Sequence, residues 1–180
     1  MNYYGGKELA ASSRTVRKNT IAIAQDIPEE KYSFRAAPDT RSVGEMLAHI
    51  AAAHSFQHKV HAEDHRFTMV GFDFPALMQR MVAEEKAPRS KEQTLELLRT
   101  SGETWASWLE GLSESFLAEQ VTMPPGGSPP SRTRFDMLLS VKEHEMHHRG
   151  QLMLIERVLG IVPHLTRQMQ ERMAAATAKR

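Results

Sequence analysis

Cysteine is absent from all 180 residues of the chain. Disulfides, thiolate metal ligands and a cysteine nucleophile are therefore excluded, and any metal held here must be soft enough for imidazole. Charge of one sign is lacking as well. Lys and Arg number 23 against 22 Asp and Glu, a net charge of +1, so there is no electrostatic case for a nucleic acid or an anionic membrane as partner. No apolar run is long enough to span a bilayer. The segment from Met1 to Gly6 lacks the charged and then apolar pattern of a signal peptide, so the expected location is the cytoplasm. The slightly basic end, Thr177-Ala178-Lys179-Arg180, reads as a solvated helix terminus. Hydrophobic residues at 41% and charged residues at 25% are an ordinary balance for a single domain, expected over residues 1–180, with a core of its own. What is present in excess is histidine, with nine copies.

Helical periodicity dominates, and no sustained alternation marks a strand. A first helix is expected from near Lys7 to Asp26, with Leu9, Val16, Ile23 and Ile27 on one side and Pro28 at its end. Residues Tyr32 to Arg41 read as a loop. Ser42 and Glu45 have the spacing of a capping box and open a second helix that runs to about Phe67. A short helix around Ala76 to Glu84 follows. Ser90 and Gln93 repeat the capping signal and open a third helix, whose seam is Leu95, Leu98, Trp105, Leu109 and Leu112, with Gly102 at one small position. The stretch from Met123 to Pro130 is a proline- and glycine-rich loop. A fourth helix runs from about Thr133 to Leu159 and stops at Gly160, and a short helix follows His164. Helices two, three and four are expected at roughly 26 residues each, about 40 Å long. The fold class is all-α: a four-helix bundle with short additional helices and no sheet, the second and fourth helices adjacent.

A helical step of about 100° places His49 on the apolar stripe of the second helix with Ala53, Phe56, Val60 and Phe67. His54, His58, His61 and His65 fall on the opposite side and read as a polar face toward solvent or a partner. A second metal site made from those four lacks another helix to close it. On the fourth helix His144 and His148 lie one turn apart and share a face with Met137, Val141, Gln151 and Ile155. Inward histidines are costly in a core unless something satisfies them, and a metal ion does so. Three imidazoles, from His49, His144 and His148, leave one coordination position open, as in catalytic zinc sites. Glu45, one turn before His49, is either a fourth oxygen, an orienting group or only the capping partner of Ser42. His147 lies to the side and reads as a flank.

Residues 144–148 also spell His-Glu-x-x-His, the zinc-protease pattern with Glu145 as general base. The context is against it. The extended motif wants a glycine where Gln151 stands and a histidine where Leu154 stands, Glu145 points about 100° away from His144, and no strands line a substrate cleft.

Two segments carry a family resemblance. Pro28-Glu29-Glu30-Lys31, Ala37-Pro38 and Ser42-Val43-Gly44-Glu45-Met46-Leu47-Ala48-His49-Ile50 resemble the first half of DinB-like proteins. His144-x-x-x-His148-Arg149-Gly150-Gln151-Leu152 and Leu159-Gly160-Ile161-Val162-Pro163 resemble their last helix and its exit. The resemblance implies a four-helix bundle with a divalent metal held by one histidine of the second helix and two of the fourth, which map onto His49, His144 and His148. Zinc or nickel is the leading candidate, with iron behind them. It further implies a homodimer, for which Trp105, Trp108 and Met-rich surfaces offer contact area. It also implies a small-molecule substrate, with a low-molecular-weight thiol as co-substrate of a transferase or isomerase. A metal-dependent hydrolase and a non-catalytic metal-binding stress-response protein are the alternatives. No residue is assigned a catalytic role beyond the metal ligands.

Overall fold

The structure, a computed structural model, describes residues 4–178. Lys179 and Arg180, and with them the end of the basic terminus, lie outside the described residues, as do residues 1–3. Helix α1 spans Gly6–Asp26 and stops where Pro28 denies it another N–H. After a single 3-10 turn at Glu29–Lys31 and a loop, α2 covers Val43–Ala52, α3 His54–His58, α4 Phe74–Lys86 and α5 Lys91–Glu110. A short α6, Glu114–Ala118, leads into strands β1 (Gln120–Thr122) and β2 (Ser131–Thr133), and then α7 (Arg134–Val158) and α8 (His164–Thr177). The capping boxes at Ser42 and Ser90 both form, each serine oxygen accepting the N–H three residues on at 3.2 Å.

The bundle is made by α1, α2, α5 and α7. Helix α1 packs on α5 and α7, and α2 packs on α5, α7 and α4. Its apolar residues divide into two clusters. Ile23, Leu47, Ile50, Leu98, Leu152 and Ile155 fill one end. Leu9, Trp105, Leu109, Leu138 and Val141 fill the other. Between them lies a buried polar layer. The Arg17 guanidinium donates to both oxygens of Glu145, through Nε at 2.9 and 3.2 Å and Nη2 at 3.0 Å, and through Nη1 to the Leu98 carbonyl at 2.8 Å. Gly102 explains the small position of the α5 seam: a Cβ there would come within 2.6 Å of Arg17 Cγ.

Three expectations are corrected. The second helix does not run unbroken to Phe67. It is interrupted at Ala53, resumes as α3, and passes through a π-helical turn at Lys59–Glu63. The helical run ends at Glu63, so Phe67 lies in the loop beyond it and is 60% exposed. Of the three helices expected at matched length, α5 has 20 residues and only α7, with 25, approaches the expectation. The absence of any sheet is also overturned. The ends of the Pro-rich loop pair antiparallel, Val121 opposite Arg132, which buries Val121 against Val60 and Met137. Among the described residues no helix is long and apolar enough to cross a membrane.

Candidate metal centre

His49 projects from α2 toward α7, where His144 and His148 stand one turn apart. The Nε2 atoms converge: His49 to His144 is 3.1 Å and His148 to His144 is 3.1 Å. One ring nitrogen from each lies within 4.8 Å of the other two. In a tetrahedral zinc site with Zn–N bonds of about 2.0–2.1 Å, ligand nitrogens are about 3.3 Å apart, so these rings already stand near the spacing that an ion requires.

Hydrogen bonds on the far side of two rings fix their tautomers. His49 Nδ1–H donates to Glu85 Oε1 at 2.5 Å, and His148 Nδ1–H donates to Gln151 Oε1 at 2.8 Å. Each proton on Nδ1 leaves a lone pair on Nε2. Burial, reinforced by the neighbouring His148 and His49, pushes the His144 pKa down to about 4, and burial also lowers His148. Burial thus favours the neutral form of His144 and His148. The buried His144 Nδ1 has no hydrogen-bond partner among the described residues. The Nε2 lone pairs of His49 and His148 both face His144 Nε2, which brings three ring nitrogens together as the ligands of one cation would be, and three imidazoles suit zinc, nickel or iron. The residues thus fit a divalent ion.

Glu85 on α4 escaped the sequence reading, which ended that helix at Glu84 and offered Glu45 instead. Glu45 is committed to its cap, accepting Ser42 N–H at 2.9 Å, and to Arg35 at 2.6 Å. Glu85 Oε2 accepts from Arg41 Nε at 2.8 Å. Burial alone would raise its pKa, but the hydrogen bonds from Arg41 and His49 outweigh that and hold it below the usual carboxylate range. His147 is exposed and stays outside the cluster, its Nε2 3.3 Å from Gln151 Nε2. Glu145 faces away into the polar layer, where Thr20 Oγ1 donates to it at 2.7 Å. It cannot serve these histidines as a general base.

The outward stripe of four histidines does not exist. His61 is fully buried and His54 is half-buried against Trp105, with ring centroids 5.6 Å apart. Burial pushes both pKa values down to about 4, with Arg17 adding to the effect on His54 and Arg134 on His61. His58 lies against Trp108 and 3.3 Å from Glu63, and only His65 stands exposed in the loop.

A cleft of about 450 Å³ opens beside His49 and His144, walled by Phe56, Phe74, Met78, Met81 and Val141, with Gln57, Arg132 and Ser140 as its other polar residues.

Two solved structures share this fold. A DinB-like protein of Bacillus subtilis, YjoA, is 22% identical, with a TM-score of 0.61 over 85% of this chain and 92% of that one. YfiT, also from Bacillus subtilis and described as a probable metal-dependent hydrolase with an unusual four-helix bundle topology, is 13% identical, with a TM-score of 0.67 over 89% and 91%. No curated protein matches the chain. The DinB superfamily profile matches residues 13–152, from the middle of α1 through His144 and His148, and on that match the chain belongs to the DinB superfamily.

Proposed function

We propose that the chain is a metal-dependent enzyme in which His49, His144 and His148 hold one divalent ion, zinc or nickel ahead of iron, and which uses a low-molecular-weight thiol to transfer to or isomerise a small molecule. The observation that carries the reading is the convergence of three imidazoles, their Nε2 atoms together, at the edge of a largely apolar cleft. A bound divalent cation would supply Lewis acidity, lowering the pKa of a thiol placed against it. The protein's own groups prepare that site. Glu85 and Gln151 hold the distal protons of His49 and His148, so their rings offer nitrogen rather than N–H. Phe56, Phe74, Met78 and Met81 form an apolar wall beside the histidines.

Among the described residues no acidic side chain lines the cleft. A water nucleophile would therefore rely on the ion to lose its proton, as would a thiol. The hydrolase reading is retained as second because of the description that YfiT carries. The same reading has the chain acting as a single cytoplasmic domain and as a homodimer. Trp105 is taken up by the core at 3% exposure, so the contact would fall on Leu154 and Val158 of α7 or Met169 and Met173 of α8, which are 60–64% exposed.

The test is metal analysis of the purified protein, followed by turnover of 1-chloro-2,4-dinitrobenzene with a panel of cellular thiols and of p-nitrophenyl esters without thiol. Thiol-dependent turnover that is lost in His148→Ala supports the transferase. Ester hydrolysis alone favours the hydrolase, and a metal-free protein inactive in both overturns the proposal.

A further inference from the structure

The cleft has a polar wall whose orientation is set from deep in the protein. Arg134 is 1% exposed, and its guanidinium offers only N–H donors. Its Nη1–H donates to His61 Nδ1 at 2.8 Å, while its Nε–H donates to Glu119 at 2.8 Å. His61, fully buried, must then carry its own proton on Nε2, and it donates that proton to Gln57 Oε1 at 3.0 Å. Burial keeps His61 neutral, as this chain requires. The result fixes the Gln57 amide. Its oxygen points inward to His61, so its NH2 is the group left over, and Nε2 has no hydrogen-bond partner among the described residues. Gln57 is 5% exposed and lines the cleft beside His49 and His144. The buried cation at the far end polarises the whole chain in the direction that makes this N–H a stronger donor.

Arg132 lines the same cleft. Its Nε–H donates to Asp136 at 2.6 Å, and its terminal nitrogens have no partner among the described residues. The cleft therefore offers one oriented amide donor, one guanidinium, an apolar wall and no carboxylate. One planar donor and a guanidinium already paired through Nε with Asp136 match a single carboxylate better than a phosphate dianion, which calls for more positive charge.

Resting on the reading of this cleft as the substrate site, we propose that it takes a small molecule with an apolar body and a carboxylate, with Gln57 and Arg132 as the residues that select the carboxylate. The Arg134–His61 pair acts through Gln57 and is a positioning device.

The test compares 3-phenylpropanoate with 3-phenylpropan-1-ol, which share an apolar body, by calorimetric titration of the purified protein before and after removal of metal with a chelator. The acid is expected to bind at least about tenfold more tightly, in line with a charge-assisted hydrogen bond, and to keep that preference in the metal-free protein. Gln57→Leu should bring the ratio near unity, and Arg132→Gln should reduce it several-fold. Gln57→Glu retains an acceptor for His61 but turns a second oxygen toward the cleft. It should abolish the preference, and it decides the matter if Gln57→Leu does not fold. A preference absent from the parent protein, or unchanged in Gln57→Glu and Arg132→Gln, overturns the inference. So does a preference that disappears with the metal, since the carboxylate would then be on the ion. A protein that never holds metal yet shows the Gln57-dependent preference defeats the proposed function and leaves this inference standing.

Discussion

His49 Nδ1–H donates to Glu85 Oε1 at 2.5 Å, and the same carboxylate is held from its other oxygen by Arg41 at 2.8 Å. The pair joins the short helix α4 to the bundle helix α2. It fixes which nitrogen of His49 faces the cluster, and a carboxylate on the distal nitrogen raises the basicity of a ligating imidazole.

Glu85→Gln should weaken metal binding by about 10–100-fold, because the neutral amide still reaches His49 but no longer polarises it. Competition against a chromophoric chelator reads the change directly. Affinity within twofold of the parent would mean that Glu85 plays no part in the site.

Alanine at His49, His144 or His148 is expected to abolish stoichiometric metal binding, whereas His147→Ala should keep the ion with reduced affinity. His61→Ala should behave differently: it should retain its metal and lose about 1–3 kcal/mol of stability, the cost of leaving a buried polar partner unsatisfied. Here the unsatisfied groups are Arg134 and Gln57. His65→Ala, at an exposed loop position, should stay within about 0.5 kcal/mol of the parent. Elemental analysis alongside denaturant unfolding separates the four outcomes.

Glu145 offers a direct contrast between a catalytic and a structural role. Its pair with Arg17 is buried, with side chains 8% and 7% exposed. Glu145→Ala should therefore cost about 3–5 kcal/mol by stranding a buried guanidinium. Retained stability with loss of turnover alone would restore the His-Glu-x-x-His protease reading.

Stability should depend on pH in two opposed ways. His54 and His61 fall from 6.5 to about 4 on folding, so between those values the unfolded chain binds protons that the native state refuses. Their contribution is complete above pH 6.5 and is lost as the pH falls toward 4. Glu156 runs the other way. Burial and the nearby Asp26 raise it from 4.5 to about 7, and neither of its oxygens has a partner among the described residues. Its folded form holds a proton that the unfolded chain has released, so stability is lost as the pH rises through that window. Glu156→Gln should therefore exceed the parent in stability at pH 8, and that advantage should disappear by pH 4.5. Chemical denaturation at the two pH values checks this, and an equal offset at both would refute the assignment.

Local chemistry wrote much of this molecule into its sequence. The serine caps, the prolines, the glycine after α7 and the spacing of Leu95, Leu98, Trp105 and Leu109 each act within a turn or two of helix, which is why those elements could be read directly. His144 and His148 belong with them, because one helical turn alone sets them on one face. His49 required only that α2 be regular for its first two turns, and it is. What lay beyond that reach was decided by long-range packing. The break at Ala53 and the π turn at Lys59–Glu63 disturb the regular helix, so the wheel that set His54 and His61 on an outer face toward solvent or a partner no longer applied. The His61 ring instead lies between Gln57 and Arg134, 73 residues away from the latter. Glu85 reaches His49 across 36 residues, and Glu145 meets Arg17 across 128. No periodicity encodes such partners, because a buried charge takes whichever opposite group the assembled helices bring within hydrogen-bonding distance, and that is settled only when they pack.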